Sequence, residues 1–205
     1  AISQPMKHDN YVTGAMFSRD ETRILTWGLD GTARLWNAAD GTAIGQPIKH
    51  DRPVKGAAFS RDETRILTWS EDGTARLWDA ADSRVIGQPM MHDGYVKGAK
   101  FNQDETRILT WSFDRTVRLW NTADVTAISQ PMKHNDYVTG AEFSRDETRI
   151  LTWSKDGTVR LWDAANGTAI GQPLKHNRPV RGAVFSRDDT RILTWEGEFG
   201  WEGTA

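Results

Sequence analysis

Short apolar runs separated by polar punctuation give this chain its character. In residues 63–79, ETRILTWSEDGTARLWD, the runs Thr64–Trp69 and Thr74–Trp78 are rich in β-branched, aliphatic and aromatic side chains, and Ser70-Glu71-Asp72-Gly73 between them is turn chemistry. The pattern predicts a β-hairpin. Near-copies stand at four other places: His8, His50, His92, His134 and His176 are spaced by 42 residues, as are Trp27, Trp69, Trp111, Trp153 and Trp195. A fixed period of about 20 to 50 residues signals a repeat architecture. The expectation is one repeat domain over 1–205, with units 1–42, 43–84, 85–126, 127–168 and 169–205.

Each unit offers four strands, a to d. In the second unit Val54–Phe59 is a, Thr64–Trp69 is b, Thr74–Trp78 is c, and Arg84–Met91, opening the next unit, is d. Four short strands in roughly 40 residues predict a propeller blade. Gly56 inside strand a suggests a close backbone approach, and prolines 47, 89, 131 and 173 in strand d suit an edge that lacks a donor. Strand a is therefore expected at the centre and d at the rim. A blade packs on both faces, so strict alternation is not required. Ile66, Leu67, Trp69, Leu77 and Trp78 meet that demand, each contributing roughly 1.5 to 3 kcal/mol when buried. The ten tryptophans are assigned to the core first.

Composition narrows the function classes. The 26 Lys and Arg against 28 Asp and Glu leave a net charge of −2, giving no overall field toward nucleic acid or an acidic membrane, and neither is expected as a partner. The absence of cysteine excludes disulfides, thiolate metal sites and cysteine nucleophiles. No apolar run reaches membrane-spanning length and the N-terminus lacks a signal pattern, so a cytoplasmic location is the expectation. Ala1 begins inside a repeat without a methionine, which is compatible with a longer parent chain carrying a targeting segment.

The unit resembles the WD-repeat β-propeller family, of the recently amplified kind with near-identical blades. The ending dipeptide is Trp78-Asp79 and Trp162-Asp163, relaxed to Trp36-Asn37 and Trp120-Asn121; S-x-D-G-T stands at Ser70–Thr74 and Ser154–Thr158. The family's Gly-His becomes Lys-His at Lys7-His8, Lys49-His50, Lys133-His134 and Lys175-His176, and Met91-His92 in the third unit. The resemblance implies an all-β propeller of five four-stranded blades, the last incomplete or irregular. It also implies a buried network of His50, Thr68, Asp72 and Trp78, with counterparts His92, Thr110, Asp114 and Trp120, and His134, Thr152, Asp156 and Trp162. An imidazole would link a turn carboxylate to a hydroxyl that receives the indole N–H. Spacing alone leaves Thr68 and Ser70 both open as that hydroxyl. One histidine per blade then reads as structural, and no catalytic, cofactor-binding or metal signature is present.

Differences between the copies point to a face. Strand b is TRILTW in all five units, whereas variation gathers in the d–a loops, the b–c turns and one strand-a position occupied by Met16, Ala58, Lys100, Glu142 and Val184, a candidate channel lining. In this topology those loops and turns share one side of the ring. Loops on a rigid support carry recognition, so the expectation is a non-catalytic protein or peptide interaction scaffold. Tyr11, Tyr95, Phe113 and Tyr137 are candidate anchors, joined by Thr13, Leu29, Arg52, Lys55, Glu71, Lys97, Lys155, Arg178 and Arg181. The alternatives are a repeated small-ligand or carbohydrate-binding propeller, which would need one polar and aromatic set in every unit, and an amplified propeller with no evolved ligand. An enzyme would need carboxylates converging near the axis, where Glu142 stands alone.

The first and fourth units share AISQPMKH, and the second and fifth share AIGQP and Arg-Pro-Val, as though the array grew in blocks of three. After Trp195 the pattern fails: without a gap, Glu198 takes the turn-aspartate position and Thr204 the strand-c tryptophan position; with an insertion, Gly203-Thr204-Ala205 begins strand c. Residues 1–7 offer a spare strand d. A missing c strand would cost about 3 to 6 kcal/mol of burial and leave an open edge. A homodimer joined through open blade edges is expected over a closed five-bladed monomer.

Overall fold

The structure, a computed structural model, describes residues 5–197, and every regular element among them is a β-strand. Blade 1 is β1 (Val12–Phe17), β2 (Arg23–Gly28), β3 (Thr32–Asn37) and β4 (Ala43–Lys49); blade 2 is β5 (Val54–Phe59), β6 (Arg65–Ser70), β7 (Thr74–Asp79) and β8 (Val85–Met91). Blade 3 is β9 (Val96–Phe101), β10 (Arg107–Ser112), β11 (Thr116–Asn121) and β12 (Met132–Lys133); blade 4 is β13 (Val138–Phe143), β14 (Arg149–Ser154), β15 (Thr158–Asp163) and β16 (Ala169–Lys175). A fifth, partial blade holds β17 (Val180–Phe185) and β18 (Ile192–Glu196). Each sheet is an antiparallel meander in chain order, and the first strands of successive blades pack side by side at the inner edge. The fold is an all-β propeller arc.

Strand boundaries shift slightly from the sequence expectation, for local reasons. Strand b starts at Arg65 because the Thr64 N–H and hydroxyl are both spent on Asp62, at 3.1 and 2.9 Å, in the turn that Ser60 also closes at 2.6 Å. Strand c runs on to Asp79, which pairs with Arg65 across the hairpin. Strand d opens at Val85, since Arg84 is held back by Asp82.

Gly56 does admit a close approach, but what approaches is a side chain rather than backbone. The Trp69 indole lies over it, so a Cβ there would stand 2.1 Å from Cζ2 of the ring. The same ring-on-glycine contact recurs at Gly14, Gly98, Gly140 and Gly182. It explains why the strand-b tryptophans are only half-buried, whereas Trp36, Trp78, Trp120 and Trp162 on strand c are buried. Trp195 departs from the core assignment, being 46% exposed, and Trp201 lies outside the described residues.

The third blade carries a second departure. Strand d there shrinks to Met132–Lys133, and Pro131 falls outside it. Gly45, Gly87 and Gly171 take φ of 69 to 70° in the other d strands, and Ser129 replaces that glycine. A side chain disfavours the left-handed conformation, so the pairing there is reduced to the Trp120–Ala127 bridge and the Ile128 N–H donating to Leu119 O at 2.9 Å.

The core is four seams between blades rather than one central cluster. In the first, Leu25, Leu35 and Ile48 of blade 1 meet Ala57, Ile66 and Trp78 of blade 2; homologous residues repeat the arrangement toward blades 3 and 4. The fourth seam holds Leu151, Val159, Val180 and Ala183. A polar clasp crosses each seam. The guanidiniums of Arg23, Arg65, Arg107 and Arg149 stand 5.3 to 5.6 Å from the rings of Phe59, Phe101, Phe143 and Phe185. The first three also pair with Glu63, Glu105 and Glu147 at 3.3 to 3.7 Å.

The arc stays open among the described residues. Pro5, Met6 and Lys7 form no strand, so the spare strand d is not made by the part of it that is described; the proposed alignments of residues 198–205 lie outside the described residues. Gly98→Ala is expected to lower stability by about 1 to 3 kcal/mol, because the Trp111 ring must move off the new methyl group. Urea unfolding checks this, and an unchanged midpoint would show the ring contact to be loose.

Candidate binding face

The face is framed by a side-chain network under each d–a loop. His50 Nδ1 lies 2.8 Å from Asp72 Oδ2, His50 Nε2 lies 2.8 Å from Thr68 Oγ1, and the Trp78 indole N–H donates to the same oxygen at 2.8 Å. One proton arrangement satisfies all four groups: Nδ1–H donates to the carboxylate, and Nε2 accepts from a Thr68 hydroxyl that itself accepts from Trp78. The hydroxyl is thus Thr68. Ser70 serves the loop instead, donating to the carbonyl of Pro53 at 2.9 Å and accepting from the Asp72 amide at 3.0 Å.

The same set is built by His92, Thr110, Asp114 and Trp120 and by His134, Thr152, Asp156 and Trp162. Blade 1 adds a fourth through His8, Thr26, Asp30 and Trp36. Two further members escaped the sequence reading. The Thr74 hydroxyl donates to Asp72 at 2.7 Å and Arg76 Nε donates to Thr74 at 3.1 Å, an arrangement repeated by Thr116 with Arg118 and by Thr158 with Arg160. The recurring D-x-T-x-R of every full unit was the available signal. In blade 5, His176 pairs with Glu196 at 3.3 Å instead.

Electrostatics follow from this geometry. Burial acts to raise the Asp72 carboxyl, yet hydrogen bonds from His50 and Thr74 outweigh it and hold the group well below the usual carboxylate range. Asp114 and Asp156 behave alike. Burial pushes the His134 imidazole down, against the pull of Asp156, which keeps it neutral.

Above this frame, loops and turns are bound together by the backbone. The N–H groups of Leu29, Glu71, Phe113, Lys155 and Gly197 donate to the carbonyls of Tyr11, Pro53, Tyr95, Tyr137 and Pro179 at 2.9 to 3.2 Å. Three of the candidate anchors meet: Tyr95 stacks on Phe113 at 6.1 Å and Phe113 on Tyr137 at 4.6 Å. The Lys155 ammonium caps the stack 5.5 Å from the Tyr137 ring, and Arg52 Nη1 donates to the Tyr95 hydroxyl at 3.4 Å at the other end. A strip of rings and cations thus runs over blades 2 to 4.

Other candidates stand apart. Tyr11 is 78% exposed and outside the stack, beside Leu29. The Thr13 hydroxyl faces the next blade, donating to carbonyls of Trp27 and Val54 at 3.4 and 3.5 Å. Lys55 and Glu71 pair with each other at 3.3 Å, Lys97 and Arg181 are exposed on β9 and β17, and the Arg178 amide binds Glu196. Glu142 accepts from the Phe185 amide at 3.0 Å across a seam, with burial raising its pKa. No group of three or more His, Asp or Glu among the described residues could hold a metal ion.

Four-stranded blades, each locked by an Asp–His–Thr–Trp relay, define a WD-type propeller. The family model "WD domain, G-beta repeat" matches residues 3–37, 41–79, 86–121 and 126–163. The chain belongs to the WD-repeat family, whose propellers are in general non-catalytic protein-interaction scaffolds. No curated protein matches it. Among solved structures it is similar to the computationally designed Ika8 protein, with 20% identity, a TM-score of 0.76 and 92% of this chain covered; the chain spans 59% of that one.

His50→Ala is expected to cost about 2 to 4 kcal/mol in urea unfolding, since it strands the Asp72 and Thr68 groups. A stable variant would contradict a structural role. Acidification is expected to destabilise in two windows. Neutral His134 contributes fully above its unfolded value near 6.5 and less as pH falls. The depressed aspartates contribute above about 3.9 and lose that contribution as pH falls below it. Asp72→Asn should therefore show a shallower fall of melting temperature below pH 4 than the unmodified chain, and an equal fall would remove Asp72 from the account.

Proposed function

We propose that the protein is a non-catalytic scaffold that binds a protein or peptide segment on the face formed by the d–a loops and b–c turns. The observation that carries this reading is the Tyr95–Phe113–Tyr137 stack, flanked by Arg52 and Lys155. Stacked rings on a rigid frame offer contact area at low entropic cost, and cations at the rim steer and orient a ligand. Three consecutive blades contribute to one strip, which suits an extended chain better than one small ligand per blade. Pro53 and Pro179 replace tyrosine in the second and fifth units, so the repeated site that a carbohydrate-binding propeller needs is not supported.

Selection of a random peptide library on the immobilised protein tests the reading. The expected result is an enriched family rich in acidic residues, lost when Tyr95, Phe113 and Tyr137 are all replaced by alanine while the melting curve stays put. Equal enrichment on the triple variant would move the site elsewhere.

A further inference from the structure

Each seam of the arc has two halves, a donor half on the leading blade and a socket half on the following one. Between blades 3 and 4, Arg107 fills the socket: Nη1 donates to the Ala164 carbonyl at 2.9 Å and Nη2 to the Glu147 carbonyl at 3.2 Å, with the guanidinium 5.4 Å from the Phe143 ring. Around it, Leu109 of the leading blade is fully buried, as are Leu25, Leu67 and Leu151 at the other seams.

The two ends of the arc carry one half each. Three periods of 42 before Phe143, Glu147 and Ala164 stand Phe17, Glu21 and Ala38. Phe17 is 60% exposed, and a concavity of about 610 Å³ is lined by Glu21, Ala38 and their neighbours. Among the described residues it is an arginine socket without its arginine. Two periods after Arg107 stands Arg191, exposed on the last described hairpin, beside Leu193 and Trp195, which are 66% and 46% exposed. That is a donor half without a socket among the described residues.

We propose that these halves complete each other between chains, the β17–β18 hairpin of one copy packing on β1 and β2 of a second, with Arg191 entering the socket of Phe17, Glu21 and Ala38. The occupant is a second copy because Arg191 and Leu193 stand at the donor positions, and Phe17, Glu21 and Ala38 at the socket positions, of a seam this sequence already makes four times, and Arg191 and Glu21 are opposite in charge. The contact is heterologous, a surface meeting a different surface, so two copies can join at both ends or further copies can add in line. It is independent of the peptide-binding strip, which lies on another side of the blades.

The test is solution mass by light scattering over a dilution series, for the unmodified chain, Arg191→Glu, Glu21→Arg, and an equimolar mixture of the two variants. A heterologous seam predicts a mass of twice 23.1 kDa or a higher multiple for the unmodified chain. Each variant alone is expected at the single-chain mass. Their mixture regains the heavier species, because Arg191 of the Glu21→Arg copy meets the intact Glu21 of the other. That recovery also shows both variants to be folded. A single-chain mass for the unmodified protein at every concentration, variants that keep the assembled mass, or a mixture that stays at single-chain mass would each overturn the proposal. In the first case the open faces are covered within the chain, and in the second the contact uses another surface.

Discussion

Burial of both faces of every blade is the constraint on which this structure depends. A four-stranded sheet of about 40 residues cannot hide two apolar faces alone, so each blade is stable only between neighbours. Leu67 and Trp78 illustrate the division: they sit in one blade but in different seams, Leu67 facing blade 3 and Trp78 facing blade 1. The strand order, the ring-on-glycine packing and the arginine clasps all serve those seams. The Asp–His–Thr–Trp relay then fixes the loops above them, leaving no buried side-chain polar atom unpaired among the described residues.

Function follows from the same division of labour. The seams use residues that repeat without change, TRILTW above all, and so cannot distinguish one blade from another. Identity is left to positions the frame does not consume. Phe113 occupies a turn site taken by Leu29, Glu71 and Lys155 elsewhere, and only there can it bridge Tyr95 and Tyr137. The strip of stacked rings is thus a local arrangement on a uniform support.

Much of this was legible in the residues. The period and the four strands per unit are visible because each copy repeats the others and errors in one are corrected by the rest, whereas the relay partners came from the resemblance to the WD-repeat family, which left Thr68 and Ser70 both open. What escaped notice depended on neighbours in space. The arginine clasp links residues 40 positions apart, Arg23 with Glu63, in segments whose S-R-D-E-T-R reads as a plain polar turn. Gly56 announced a close approach without naming the Trp69 ring as the visitor. The shortened strand at Met132 rests on one serine where a positive φ calls for glycine, a detail that matters only once that conformation is known. Thr13 looked like a loop residue and proved to face a seam.

A blade owes its stability to its two neighbours. Amide hydrogen exchange, followed by mass spectrometry at high and low protein concentration, tests it most directly. Strand-b amides of β6, β10 and β14 should be strongly protected at both concentrations, whereas those of β18, packed on one side only among the described residues of a chain, should exchange faster on dilution. Protection of β18 equal to that of β10 at the lowest concentration would contradict the account, because a blade would then be stable with one face uncovered.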